Sequence, residues 1–334
     1  MMNSNANASD LASLNALVRG LYSLQKLRIQ AGNRVIATVK VNLGQEAGMS
    51  EEEITPEAKK ILKDLRDAHQ KITDAVPSML KLRRDFKPEG YITGYAQYCL
   101  ISEYIRMEQV EEEHEKHIKV LVEQFPIWRD FLKAVPGCGP QLAAIIICRL
   151  DPHKSKYASS MWKFAGLDVG PDGRGRGRYK EHLVPKSYTN AKGDTTETVG
   201  ITFDPFLKTK LLGVLGPCML KAAAITKKGT LKYEEAYRGY RNRLNNHPAH
   251  KDKTDKHKHN MANRYMIKRF LVDLYTKWRA LEGLEVWPEY GEAKLGLVHD
   301  QDREVRTLYP HQQAAMEAMK GSPSSTLNMP ASKT

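Results

Sequence analysis

Pro136-Gly137-Cys138-Gly139-Pro140 runs straight into Gln141 to Leu150, a stretch rich in alanine, isoleucine and leucine, and no other part of the chain limits its fold so sharply. Two prolines with fixed φ and two glycines with a free backbone make a tight turn. The apolar stretch after it belongs in the interior of a helical core. Glycines also let a backbone come close to a ligand, and the first N–H groups of the following helix carry partial positive charge, a geometry that suits phosphate. Gly137, Gly139 and Gln141 are therefore candidates for a backbone contact that positions nucleic acid without reading its sequence. An ordinary corner in a helical core is the other reading of the same residues.

After Asp151-Pro152 ends that helix, Tyr157 to Leu167 (YASSMWKFAGL) reads as a second short helix closed by glycine. In the order turn, apolar helix, break, serine-containing helix and Ala-Gly-Leu, residues 130 to 282 resemble the carboxy-terminal domain of the insertion-sequence "one-ten" family of RNA-guided transposases. That domain is similar to the Nop domain of box C/D ribonucleoproteins and to the Tas proteins of tandem interspaced guide RNA arrays. The resemblance implies a helical nucleic-acid-binding domain preceded by a coiled coil, with a guide RNA as its bound component.

The front of the chain has the pattern for such a coiled coil. Leu11, Leu14, Leu17, Val18, Leu21, Leu24 and Leu27 are spaced by three and four, which predicts a helix over Asp10 to about Val41, with Gly20 and Gly32 as its weak points and residues 1–9 as a disordered lead-in. Thr55-Pro56-Glu57 is a helix start, followed by Ile61, Leu65, Ala68, Ile72, Ala75 and Met79 at coiled-coil spacing, with Pro77 kinking the far end. Beyond the break at Lys87-Pro88-Glu89-Gly90 a second long helix is expected to about Phe125, making an antiparallel hairpin. Residues 1–50 are thus expected as a helical segment, 51–130 as the hairpin, 131–282 as the Nop-like domain, and 283–334 as a strap and disordered tail with a short helix at His311 to Met319. The hairpin is a candidate for pairing two copies into a homodimer, or else it completes a globular bundle.

The net charge of +13 separates these regions. Basic and acidic residues balance over the first 135 positions, and the excess lies behind them, which implies a polyanionic partner for the second part. Gly170, Gly173, Gly175 and Gly177 alternate there with Arg174, Arg176 and Arg178, and Tyr179-Lys180 follow. Guanidinium forks on such a backbone can follow a ribose-phosphate path. Val184 to Val199 then reads as a β-hairpin around Asn190-Ala191-Lys192-Gly193-Asp194. Arg174, Arg176, Arg178, Lys180 and Lys186, with Arg241 and Arg243 on a later helix, are the candidate RNA-binding residues; a solvated basic loop is the alternative. Helices are further expected from Asp204-Pro205, over Leu231 to Leu244, and over Lys258 to Leu281, where Ile267, Leu271, Leu274 and Trp278 share one face and Arg264, Lys268 and Lys277 lie off it.

No motif for chemistry stands out. Cys99, Cys138, Cys148 and Cys218 form no CxxC pair, against a disulfide framework or a thiolate zinc site. His247, His250, His257 and His259 sit among Lys251, Lys253, Lys256 and Lys258, which repel a cation and read better as a cationic loop against phosphate. The helical pattern offers neither the ββα scaffold of an HNH nuclease nor the strands of a RuvC-like one. In the transposases a serine shortly after Ala-Gly-Leu forms the covalent link to DNA, whereas Val169-Gly170-Pro171-Asp172-Gly173 occupies that neighbourhood here. No catalytic residue is assigned; if the chain is a transposase, Ser159 or Ser160 is the candidate.

The expected fold class is mainly α: a helical hairpin region followed by a basic, Nop-like helical domain with a small β-ribbon. The expected function is guide-RNA binding for RNA-guided DNA recognition without a nuclease domain, with guide RNA and target DNA as partners, no metal and no other cofactor. A serine-dependent transposase of the one-ten type and a structural ribonucleoprotein scaffold are the alternatives. With no run of about 18 apolar residues and no charged-then-apolar leader, the chain is expected to be soluble and intracellular, and the resemblance implies the cytoplasm of a prokaryotic host, or of a host carrying the virus or mobile element that encodes it.

Overall fold

A computed structural model describes residues 4–44, 54–75, 86–170, 172–191, 193–225 and 232–288. Pro77 with its expected kink, Met79, the expected helix at 311–319 and most of the 283–334 strap and tail lie outside the described residues. The fold is mainly helical with one small antiparallel sheet, and the chain divides into two units, Met1–Val122 and Glu123–Thr334. Among the described residues no helix is long and apolar enough to cross a membrane.

In the first unit α1 (Ser4–Asn42) and α3 (Tyr95–Val122) pack along one another, with α2 (Pro56–Ala75) against both. The helices expected separately in 1–50 and 51–130 therefore share one unit, which ends at Val122, while the last residues of the expected hairpin, 123–130, belong to the second unit. The reason is a shared core, in which Ala31, Val35, Ile36 and Val39 of α1 meet Leu62, Leu65 and Ile72 of α2 and Tyr98, Ile101 and Tyr104 of α3. The lead-in expected over 1–9 is helical from Ser4. The helix that buries Leu14, Val18 and Leu21 extends back through Ala6 and Ala8, with no glycine or proline to stop it. Gly20 and Gly32 do not interrupt α1; their small profiles lie against His114 and Tyr104 of α3. Thr55 caps α2, its hydroxyl accepting from the Ala58 N–H at 3.2 Å.

Among the described residues, the two half-buried arginines of this unit each meet a glutamate. Arg28 donates to the buried Glu111 and lies 3.5 Å from the Tyr104 hydroxyl, and Arg66 pairs with Glu108 at 2.9 Å. These pairs tie α1 and α2 to fixed positions along α3. An ion pair in a helix seam specifies register better than it adds stability, because both partners lose water.

The second unit is built around α10 (Asp255–Leu281), whose Ala262, Met266, Ile267, Phe270, Leu271, Leu274, Tyr275 and Trp278 are buried. Thr254 caps it, accepting from the His257 N–H at 3.3 Å. Short α4 (Pro126–Asp130), α6 (Ala158–Phe164), α8 (Gly216–Ile225) and α9 (Lys232–Asn246) pack on it. Helix α5 (Pro140–Arg149), as its sequence demands, is buried from Leu142 to Ile147 and packs against α7 (Pro205–Lys210). Between α7 and α8 the chain takes one π-helical turn, Leu211–Leu215. Pro217 has no N–H to return to residue 213 and its ring crowds that carbonyl, so the helix widens there; Asn263 of α10 donates to the Leu212 carbonyl at 2.9 Å. The sheet is β1 (Val184–Thr189) paired with β2 (Thr195–Gly200), Lys186 opposite Thr198 and Tyr188 opposite Thr196. After α10, Arg279 donates to the Glu285 carbonyl and Tyr275 accepts from the Trp287 N–H, which fixes the start of the strap.

Candidate nucleic-acid interface

The glycine turn packs more than it presents. Gly137 has φ +80°, and a Cβ there would lie 2.6 Å from the Cys218 backbone, so this glycine is spent on close approach to α8 and is not a phosphate contact. Gly139 is different: it occupies the N-cap of α5 with open space around it, and Gln141 in the first turn is partly exposed. Cys138, sealed in the turn, has its thiol pushed up to about 12 by burial, so it stays protonated and inert.

Helix α6 ends in a Schellman motif. The Leu167 N–H returns to the Trp162 carbonyl at 2.8 Å and the Gly166 N–H to Lys163 at 3.1 Å, which turns the chain into the arginine–glycine segment. That segment is folded, not a flexible strand of guanidinium forks. The Gly170 N–H bonds the Arg174 carbonyl at 2.7 Å and the Arg176 N–H bonds Asp168 at 2.9 Å. At its centre lies the fully buried His182 ring. Its Nδ1 accepts from the Gly177 N–H at 3.0 Å, so Nε2 carries the proton and donates to Asp172 Oδ1 at 3.0 Å; this bond holds the Asp172 carboxyl below its usual range. Gly175 leaves the space that the Arg264 guanidinium fills, 2.7 Å from where a Cβ would be.

This folding sorts the candidate arginines. Arg176 turns inward and pairs with Asp168 at 2.7 Å, because the loop brings that carboxylate directly beneath it; it is not available to hold RNA. Arg241 is likewise tied to Asp255, at the start of α10. Arg174 is exposed and its guanidinium stacks over Tyr179 at 5.8 Å, with Nε 3.9 Å from Asp172 Oδ2, while its backbone N–H donates to Asp172 Oδ1 at 3.0 Å. Arg178 and Lys180 are exposed, and Lys186 is exposed on β1. Arg243 lies over the Tyr240 ring at 4.6 Å, and Tyr240 stacks on Tyr265 with centroids 4.4 Å apart.

The β-ribbon has almost no buried side. Lys186, Tyr188, Thr196 and Thr198 share one face and Ser187, Thr189, Thr195 and Glu197 the other, so Lys186 and Tyr188 stand on a strand face without acids. Such a ribbon is not held together by a core. Its side chains face solvent.

No family model, curated protein or solved structure matches this chain.

Beneath the loop, sequence reasoning missed a second set of cations. Lys208 of α7 donates to the Arg176 carbonyl and lies over Phe203 at 4.8 Å; Arg264 of α10 donates to the Gly166 and Asp168 carbonyls at 3.2 and 3.4 Å; Lys268, one turn on, lies over Trp162 at 5.2 Å. All are half-buried. Burial, and then the Arg264 charge, pushes Lys208 down to about 8 and lowers Lys268; burial lowers Arg264 as well. The only signal in the sequence was that Arg264 and Lys268 lie off the apolar face of their helix.

The other candidates are dispersed. Ser159 and Ser160 lie in the first turn of α6, and among the described residues neither hydroxyl hydrogen-bonds to a histidine or carboxylate that would activate it. The four histidines do not form one loop. His247 caps the 3-10 turn Pro248–His250, while His257 and His259 belong to α10, because Thr254 starts that helix earlier than the apolar pattern does. His259 Nδ1 pairs with the Tyr237 hydroxyl at 2.7 Å. Among the described residues no group of three or more His, Cys, Asp or Glu is placed to hold a metal ion.

Proposed function

We propose that this chain binds a guide RNA and, through it, a DNA target, without cutting either strand. The observation that carries this reading is the set of exposed cations Arg174, Arg178, Lys180 and Lys186, on a loop hydrogen-bonded through His182 and Asp168 and on a ribbon with almost no buried side. Such a set of cations beside Tyr179 and Tyr188 suits a sugar-phosphate backbone with bases free to stack. Base pairing supplies the specificity in such a system, and the protein needs grip more than reactive groups. The resemblance of residues 130 to 282 to guide-RNA-binding domains points the same way. Arg176 and Arg241 are removed from the binding set and Arg243 stays in it.

Sequencing the nucleic acid that co-purifies with the full chain tests the reading. Short RNA from a repeat array supports it, and nucleic-acid-free protein contradicts it. RNA derived from an insertion element, together with a covalent protein–DNA adduct lost in Ser159→Ala or Ser160→Ala, would replace it with transposition. RNA without any affinity for a complementary DNA would reduce it to a ribonucleoprotein scaffold.

A further inference from the structure

The cations beneath the loop do not balance. Arg176 pairs with Asp168 Oδ2 at 2.7 Å, Arg264 donates to the Asp168 backbone carbonyl at 3.4 Å and Lys208 donates to the Arg176 carbonyl; Asp168 is also the carboxylate whose charge acts on Lys208, Arg264 and Lys268, and among the described residues its Oδ1, sealed from solvent, receives no hydrogen bond. Carbonyls hold Lys208 and Arg264 in place but do not neutralise them. Among the described residues Lys268 has only the face of Trp162, and the buried Trp162 indole N–H has no acceptor. Taking like charges out of water next to each other is unfavourable unless an anion joins them. The first unit shows the alternative, since Arg28 and Arg66 there each have a glutamate.

We infer that Lys208, Arg264 and Lys268 form a site for a phosphomonoester dianion, the terminal phosphate of the bound guide strand. Arg176 is answered by Asp168, and by the nearby charge of Asp172, which leaves Lys208, Arg264 and Lys268 as a surplus without a carboxylate of their own. A dianion offsets more of that surplus than a single internal phosphodiester does. Lys208 and Lys268 reach the site from different helices, as convergence on one tetrahedral oxyanion requires, whereas a run of backbone is served by a set such as Arg174 to Lys186. The cluster is also half-enclosed, which suits a strand end better than a strand passing through. The inference rests on the RNA-binding reading for the source of the phosphate, but the site itself stands or falls separately.

The experiment compares one single-stranded RNA carrying a 5′-phosphate, a 3′-phosphate or hydroxyl ends, by fluorescence anisotropy on the full chain at constant ionic strength, with Lys268→Gln and Lys208→Gln as variants. One phosphorylated end should bind about tenfold or more tighter than the hydroxyl-ended strand, and Lys268→Gln should erase that preference while leaving hydroxyl-ended binding within about twofold. Lys268→Gln without ligand should melt at or above the parent temperature, since an uncompensated cation is removed; a purely structural lysine would not behave so. Equal binding of all three strands, or a preference that survives in Lys268→Gln, overturns the site while leaving RNA binding intact. If no RNA binds, thermal shift with inorganic phosphate against chloride at matched ionic strength decides. A rise lost in Lys268→Gln keeps the phosphate site and discards the guide strand, and no rise overturns the site.

Discussion

The two units treat buried charge in opposite ways. Between α1, α2 and α3 a half-buried arginine ends on a glutamate, Arg28 on Glu111 and Arg66 on Glu108, so the pairs fix helix register and leave little field outside. Around α7 and α10 three cations share a single carboxylate with Arg176, while four more stand exposed on the loop and ribbon above the same sequence segment. Two helical units thus use charge differently. The first unit spends its charge on itself. The second keeps a surplus that folding alone does not require, and such a surplus is what a polyanion would complete.

The largest expected effect breaks the surplus. Replacing Arg174, Arg178, Lys180 and Lys186 together by glutamine should lower single-stranded RNA affinity about 500-fold at 0.1 M salt and reduce the slope of log K against log salt by about 3, as removal of four phosphate contacts implies. Salt-titrated anisotropy measures both, and the melting temperature should stay within a few degrees because none of the four side chains is in a core. Next comes the paired unit. Glu111→Ala strands Arg28 and should cost about 3 kcal/mol in chemical denaturation. Glu111→Leu with Arg28→Met should recover most of that, with RNA affinity the same in every variant.

A smaller effect concerns pH. Burial holds the folded-state value for Lys208 at about 8, below the ordinary lysine value of 10.5, so the charged lysine weakens the fold at neutral pH. Between about 8 and 10.5 the unfolded chain binds more protons at this position than the folded one, so stability should rise with pH across that window. Lys208→Met should flatten that rise in denaturation midpoints measured from pH 7 to 10.5, and an unchanged slope would show that the lysine is not constrained as described. The smallest effect is Arg241→Ala. Asp255 is almost fully exposed, so the pair should be worth less than about 1 kcal/mol, and RNA affinity should fall less than about threefold.

Much of the architecture was legible in the chain. The spacing of Leu14, Val18 and Leu21, the Thr55-Pro56 start, the apolar run after Pro140 and the hairpin around Asn190 each follow from local chemistry, and local chemistry set them. The grouping of α1 with α2 and α3 was not legible, because Ala31, Val35 and Val39 say that a face is apolar but not what covers it. The arginine–glycine segment misled for a related reason. Alternating glycines read as freedom, yet Gly170 and Gly175 are places where His182 and Arg264 need room, and the partners lie outside the segment itself or close up only once it folds. Lys208 and Lys268 are 60 positions apart, and nothing in periodicity announces that they converge beside Asp168. Cations near in sequence were visible, and cations near in space were not.

Ultraviolet crosslinking of the full chain to its co-purified RNA, followed by peptide mass spectrometry, bears most directly on the contrast between the two units. Adducts should concentrate in residues 162–200, at Trp162, Tyr179 and Tyr188 above all, with few or none in 4–122. Adducts concentrated in α1 to α3, with the loop and ribbon unmodified, would contradict the account.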